Sequence, residues 1–144
     1  MLLFWLALAL SACGQSDAEQ VQSAFKRYLS ATASDDHRGF CELQTLEERD
    51  NGLGYQDRHD WSKAEATVAN CAAARARRTP VVTQRQKDNV ERVRVVDVEV
   101  RGDTAVAYLR LDGCTLEDSG ARFVRTDDRW LFDGSLPTTK PSGC

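Results

Sequence analysis

The sequence predicts a single α+β domain, with helices in its first half and a curved antiparallel sheet in its second. Three observations predict it. Apolar residues recur at helical spacing from Val21 to Ala72, and after Pro80 they recur at alternate positions as far as Gly134. Within that second half, "VERVRVVDVEV" slips phase once, the mark of a bulged and therefore bent strand. At 144 residues the chain is long enough to enclose one core.

The first helix is expected in "DAEQVQSAFKRYLSATA". Asp17 and Gln20 stand in a capping-box-like arrangement, and Val21, Ala24, Phe25, Tyr28 and Leu29 fall on one helical face. A second, shorter helix is expected in "SDDHRGFCELQTLEER", which opens on cap-forming residues, carries Phe40, Cys41, Leu43 and Leu46, and is weakened by Gly39. The glycine-rich "DNGLGYQDRHD" reads as a loop. A third helix is expected from Ser62, which forms a capping box with Glu65, and it should bury Ala64, Val68, Cys71 and Ala72. Its basic end, "RARR", complements the carboxyl end of the helix dipole. Anionic lipid or an acidic partner is the other reading of that run.

The sheet begins with the valine ladder. Val93 and Val95 hold one parity while Val96, Val98 and Val100 hold the other, so one extra residue near Val95 and Val96 would place all five on one face. A strand buried on both faces would instead bury Arg92, Arg94, Asp97 and Glu99, at high cost. "RGD" then turns the chain into "TAVAYLRL", the loop "DGCTLEDSG" leads to "ARFVRT", and "DD" turns into "RWLFDG".

The N-terminus reads differently. "LLFWLALAL", Leu2 to Leu10, is about half as long as a bilayer-crossing helix, so it reads as a signal-peptide core. "LSAC", Leu10 to Cys13, resembles the lipobox of bacterial lipoproteins, whose cysteine is diacylated and becomes the first residue after cleavage. That resemblance implies a signal peptide at 1–12 and lipid attachment at Cys13, with a short linker through residue 16; the periodic elements put the domain over 17–134 and leave a tail at 135–144. The lipobox resemblance also implies a protein held at the bacterial cell membrane, facing its extracytoplasmic side.

The cysteines agree with such an address. Five is an odd number, and assigning Cys13 to lipid leaves Cys41, Cys71, Cys114 and Cys144 for two disulfides in an oxidising compartment. Cys41 and Cys71 lie on apolar helix faces whose packing would bring them together. In an antiparallel meander the tail after Gly134 leaves the sheet at the edge where Cys114 waits in its loop, so Cys114 is expected to pair with Cys144. None of these cysteines has the close spacing of a zinc site.

Three helices followed by a bulged meander, with "FCELQT", "NCAAA", the "VRGDTAVAYL" hairpin and a closing "RWLFDG", resemble bacterial lipoproteins with a nuclear transport factor 2-like domain. In that superfamily a bent sheet and its helices enclose a conical cavity, used for catalysis in some members and for binding or dimerisation in many. The resemblance implies that Phe25, Tyr28 and Leu29 from the first helix, and Val96, Val98 and Tyr108 from the sheet, line such a cavity.

Chemistry is sparse. With 19 Lys and Arg against 22 Asp and Glu, a net charge of −3 and no basic stripe, the chain has no footprint for nucleic acid. His37 and His59 sit in polar stretches, and the cluster of Asp57, His59 and Asp60 reads as a polar loop sooner than a cation site. Asp97 and Glu99 point away from the valine face, and no nucleophile motif or phosphate loop is present. No catalytic residue, metal or cofactor is assigned. The expected function is a lipid-anchored envelope module, without catalysis, that binds a small apolar ligand or an envelope protein. Its outer sheet face is the candidate homodimer surface. The alternative is an isomerase- or dehydratase-type enzyme using the cavity.

Overall fold

The computed structural model describes residues 14–57, 66–79, 81–112 and 119–136, with the backbone alone over 53–57. These residues form an α+β domain with five helices and an open four-stranded antiparallel sheet in the order β1-β2-β3-β4 among them. Cys13, His59, Cys114 and Cys144 lie outside the described residues, as do the expected capping box at Ser62–Glu65 and Ala64.

Helix α1 (Asp17–Thr32) forms where its periodicity places it, but its cap lies one residue earlier than expected. The Ser16 hydroxyl accepts from the Glu19 N–H, and the Glu19 carboxylate accepts from the Ser16 N–H at 2.8 Å. Val21, Ala24, Phe25 and Ala31 are buried. An ion pair of 2.7 Å between Asp17 and Arg125 fastens the start of α1 to the sheet.

The expected second helix is two, α2 (His37–Glu42) and α3 (Leu46–Asp57), and the expected loop from Asp50 is helical as far as Asp57. Tertiary pairing causes the break. Between the helices, Gln44 bridges to Phe132 in parallel fashion, with the Thr45 N–H donating to the Phe132 carbonyl at 2.9 Å and the Phe132 N–H to that of Leu43 at 2.8 Å. Thr45 then caps α3 by accepting from the Glu48 N–H at 3.2 Å, and Glu47 and Glu48 complement the first turn. These signals carry the helix through Gly52 despite its low propensity. Gly39 has a positive role in α2: its N–H donates to the Asp36 carboxylate at 2.8 Å, and a Cβ there would collide with that carboxylate.

Helix α4 (Val68–Arg78) is capped by Thr67 and buries Cys71 and Ala74, while Val68 and Ala72 are only half-buried. A further helix, α5 (Gln84–Arg92), occupies a stretch expected to be extended. Its sequence, "QRQKDNVER", holds one apolar residue and so shows no period, and its signal is the capping box between Thr83 and Gln86.

The sheet comprises β1 (Val93–Arg101), β2 (Thr104–Leu111), β3 (Gly120–Thr126) and β4 (Arg129–Ser135). Its register shifts between Val95 and Asp97, so the bulge lies where the phase slip predicts. Four valines, at 93, 95, 98 and 100, pack against the core. Val96 does not join them; it is the extra residue, unpaired and 54% exposed, because a bulge restores phase by expelling one side chain from the ladder. A second shift near Phe123 leaves Asp133 unpaired in β4, and Gly134 follows at φ +115°. The β3–β4 turn uses Asp127 and Asp128 at φ 48° and 59°, the paired left-handed geometry of a two-residue hairpin.

One column of rings joins the layers. Phe25 and Phe123 meet edge to face at 6.2 Å, Phe123 and Phe132 at 6.0 Å, and Tyr28 stacks on Phe132 at 4.1 Å. Phe40 lies 5.1 Å beyond Tyr28, and the Arg75 guanidinium covers Phe40 at 3.8 Å. Phe123, between Phe25 and Phe132 in this column, is 1% exposed. Phe123→Ala is expected to cost about 3–5 kcal/mol, read as a lower urea midpoint.

Cys41 of α2 and Cys71 of α4 stand at bonding distance, with sulfurs 2.05 Å and Cα atoms 6.0 Å apart. Their sequence separation is 30, and closing such a loop stabilises a fold by roughly 3–4 kcal/mol in the chain-entropy model. Replacing both with alanine should lower unfolding free energy by about that amount in urea titrations. Reducing agent should then have no further effect on the variant.

Candidate ligand-binding groove

The aromatic column covers the β4 side of the sheet, where α1 and α3 both meet β4, α2 packs on α1, and α4 packs on α2 and α3. Among the described residues the β1 side is lined by α1 and α5, and between them and β1 runs a groove of about 740 Å³. Phe25 and Leu29 line it from α1, Val90 from α5, and Val93 and Val95 from β1. Its rim carries Lys26, Lys87, Glu91 and Arg94. The periodicity that buries Phe25 turns Lys26 outward, and the bulge after Val95 ends the strand's contribution.

The residues expected in one cavity divide among five places. Phe25 and Leu29 line the groove. Tyr28 is instead in the aromatic column and lines a smaller pocket. Val98 packs into the core beneath the helices and does not reach the groove. Val96 and Tyr108 are corrections: Val96 is expelled by the bulge, and Tyr108 lies on the opposite sheet face, donating to the Glu99 carboxylate at 3.1 Å. Alternation explains Tyr108, since its neighbours Ala107 and Leu109 take the core side. The groove's α5 wall was missed because Val90 is the helix's one apolar residue.

The smaller pocket, about 350 Å³, is lined by Tyr28, Gln44, Glu48, Arg49, Arg75 and Arg78, with Phe40 and Cys71 beside them. Burial, then the nearby Glu48 carboxylate, raises the Tyr28 hydroxyl's pKa, so the hydroxyl stays protonated. Burial, followed by the neighbouring Asp133 carboxylate, also raises Glu48, and Arg122 opposes the shift. Asp133 is positioned by the β4 bulge and accepts from the Thr45 hydroxyl at 2.7 Å. Two of the three guanidiniums serve the backbone. Arg49 donates to the carbonyls of Gln44 at 2.7 Å and Ala66 at 2.9 Å, and Arg75 donates to Thr32 at 3.1 Å. Arg75 therefore caps the end of α1, where the sequence suggests service to its own helix.

The outer sheet face holds a recess of about 470 Å³ edged by Glu99, Arg101, Tyr108 and Arg122. Hydrogen bonds from Arg101 and then Tyr108 hold the Glu99 carboxyl below its ordinary value. His37 opens α2 half-buried. Among the described residues no cluster of three or more His, Cys, Asp or Glu is arranged to hold a metal, and no described helix is long and apolar enough to cross a membrane. Compared with family models, curated proteins and solved structures, the chain matches none.

Glu48 provides a pH test of this geometry. Its folded pKa is raised, so its contribution to stability is fully present below the ordinary glutamate pKa of about 4.3 and is lost as pH rises through the folded value. Glu48→Gln is therefore expected to raise the urea midpoint relative to the parent at pH 7. The difference should shrink towards pH 4, and a difference independent of pH would contradict this assignment.

Proposed function

We propose that this protein is a lipid-anchored module of the bacterial cell envelope that binds a small apolar ligand in the α1–α5–β1 groove without transforming it. The observation that carries this reading is the groove itself, whose apolar floor lies between charged rims. Tyr28 and Glu48, whose pKa values burial raises, line a different pocket, and Tyr108, raised by its hydrogen bond to Glu99, lies on the outer sheet face. The "LSAC" segment supports the anchor at Cys13, and the bonding distance between Cys41 and Cys71 supports an oxidising, extracytoplasmic setting. We read the fold as a nuclear transport factor 2-like cone left open at its β1 side. The bulged first strand and the packing of helices on one sheet face support that reading.

Both parts are tested on protein made in a bacterial envelope. Cys13→Ser should move the chain from the membrane to the soluble fraction, because a single site then no longer carries acyl chains. Native mass spectrometry of the purified protein should reveal a retained apolar mass that is lost in Val90→Glu. Membrane retention of Cys13→Ser would overturn the anchor, and a ligand-free protein would overturn the binding role.

A second reading, an isomerase- or dehydratase-type enzyme, draws on the smaller pocket. There a protonated Tyr28 hydroxyl stands near the Glu48 carboxylate, two groups suited to proton transfer. Turnover of a small carbonyl compound that is abolished in Tyr28→Phe would favour it.

A further inference from the structure

We propose that the groove's ligand is a long-chain carboxylate, a fatty acid whose chain lies along α1 and whose head group is held by Lys26 and Lys87. The inference rests on reading the groove as a ligand site and adds the ligand's chemical class. Shape is the first argument. Gln22, Phe25 and Leu29 line the groove on successive turns of α1, and its C-cap Ala33 continues the row. At 1.5 Å per residue they span roughly 16 Å. The space is therefore a trough, and it suits a chain better than a compact ring. Phe25, Leu29, Val93 and Val95 supply its apolar walls.

Charge is the second argument. Lys26 and Lys87 are exposed, one on each helix lining the trough, and among the described residues neither has a carboxylate within ion-pair distance. The third cation, Arg94, is already paired with Asp112 at 3.2 Å. Glu91 is the one carboxylate among the described lining residues. The trough therefore presents more positive than negative charge at its rim, which suits an anionic head group. A neutral apolar ligand would leave both lysines unused, and inorganic phosphate would leave the trough unfilled.

The third argument is α5. This helix is well capped, yet it buries none of its side chains, and its one apolar residue, Val90, faces the trough. An acyl chain along α1 gives Val90 a partner and closes α5 over it.

The exported full-length chain, with and without Cys13→Ser, is titrated with the fluorescent fatty acid parinarate, which is then displaced with laurate, palmitate, methyl palmitate or phosphatidylglycerol. The acids should bind more tightly with length, about two- to fourfold per methylene. Methyl palmitate should bind at least fivefold more weakly than palmitate. Lys26→Gln and Lys87→Gln should each weaken palmitate about two- to fivefold, the range of exposed ion pairs, and leave the ester unchanged. Equal affinity for acid and ester, acid binding indifferent to both lysines, or tighter binding of phosphatidylglycerol would overturn the carboxylate assignment while the groove remained a binding site. If no lipid bound and Val90→Glu changed nothing, the groove reading would fail with it.

Discussion

The stack of Tyr28 on Phe132 is the joint on which the rest of the structure depends. Phe132 reaches the sheet core through Phe123, and Tyr28 reaches the helical layer through Phe40 and the Arg75 guanidinium. One continuous column thus runs from β3 and β4 across α1 and α2 to α4. Aromatic side chains bury a large area in a defined geometry, so a column of them sets the angle at which the helices meet the sheet. The Cys41–Cys71 contact lies behind it, holding α2 and α4 together where Phe40 and Arg75 meet.

Concentrating the packing on the β4 side has a consequence on the β1 side. Strand β4 is covered at its edge by the Leu43–Thr45 segment, which bonds to the backbone of Phe132 and so satisfies an otherwise open row of donors and acceptors. Among the described residues strand β1 has no equivalent cover. Its bulge expels Val96, and among the described residues its groove-side face is flanked by α1 and by a helix that buries none of its side chains. The trough is thus the unfilled remainder of a core completed on one side.

Polar groups within the helical layer follow a common plan. Arg49 and Arg75 send their guanidiniums to the ends of α2 and α1, where helices leave carbonyls without intrahelical partners. Thr45 links two elements with one hydroxyl, accepting from the first turn of α3 and donating to Asp133 on the β4 bulge. Burial raises the pKa of the Tyr28 hydroxyl and the Glu48 carboxylate and lowers that of the Arg49 and Arg75 guanidiniums, so it disfavours the charged form of all four groups.

The sequence by itself determined the class of the fold, the first helix, the two hairpins and the bulge of β1, because each is written in local chemistry. Periodicity marks α1, turn residues mark the hairpins, and a single phase slip marks the bulge. It also placed Phe25 and Leu29 on the face that lines the trough. It did not reveal α5, since a helix with one apolar residue has no period to read. Nor did it reveal the break between α2 and α3, which exists because Phe132, some ninety positions later, pairs with Gln44. The placement of Val96 and Tyr108 was likewise decided only by tertiary structure. Strand register allocates side chains to faces, and one inserted residue sends a valine out of the core as readily as it brings the next one in.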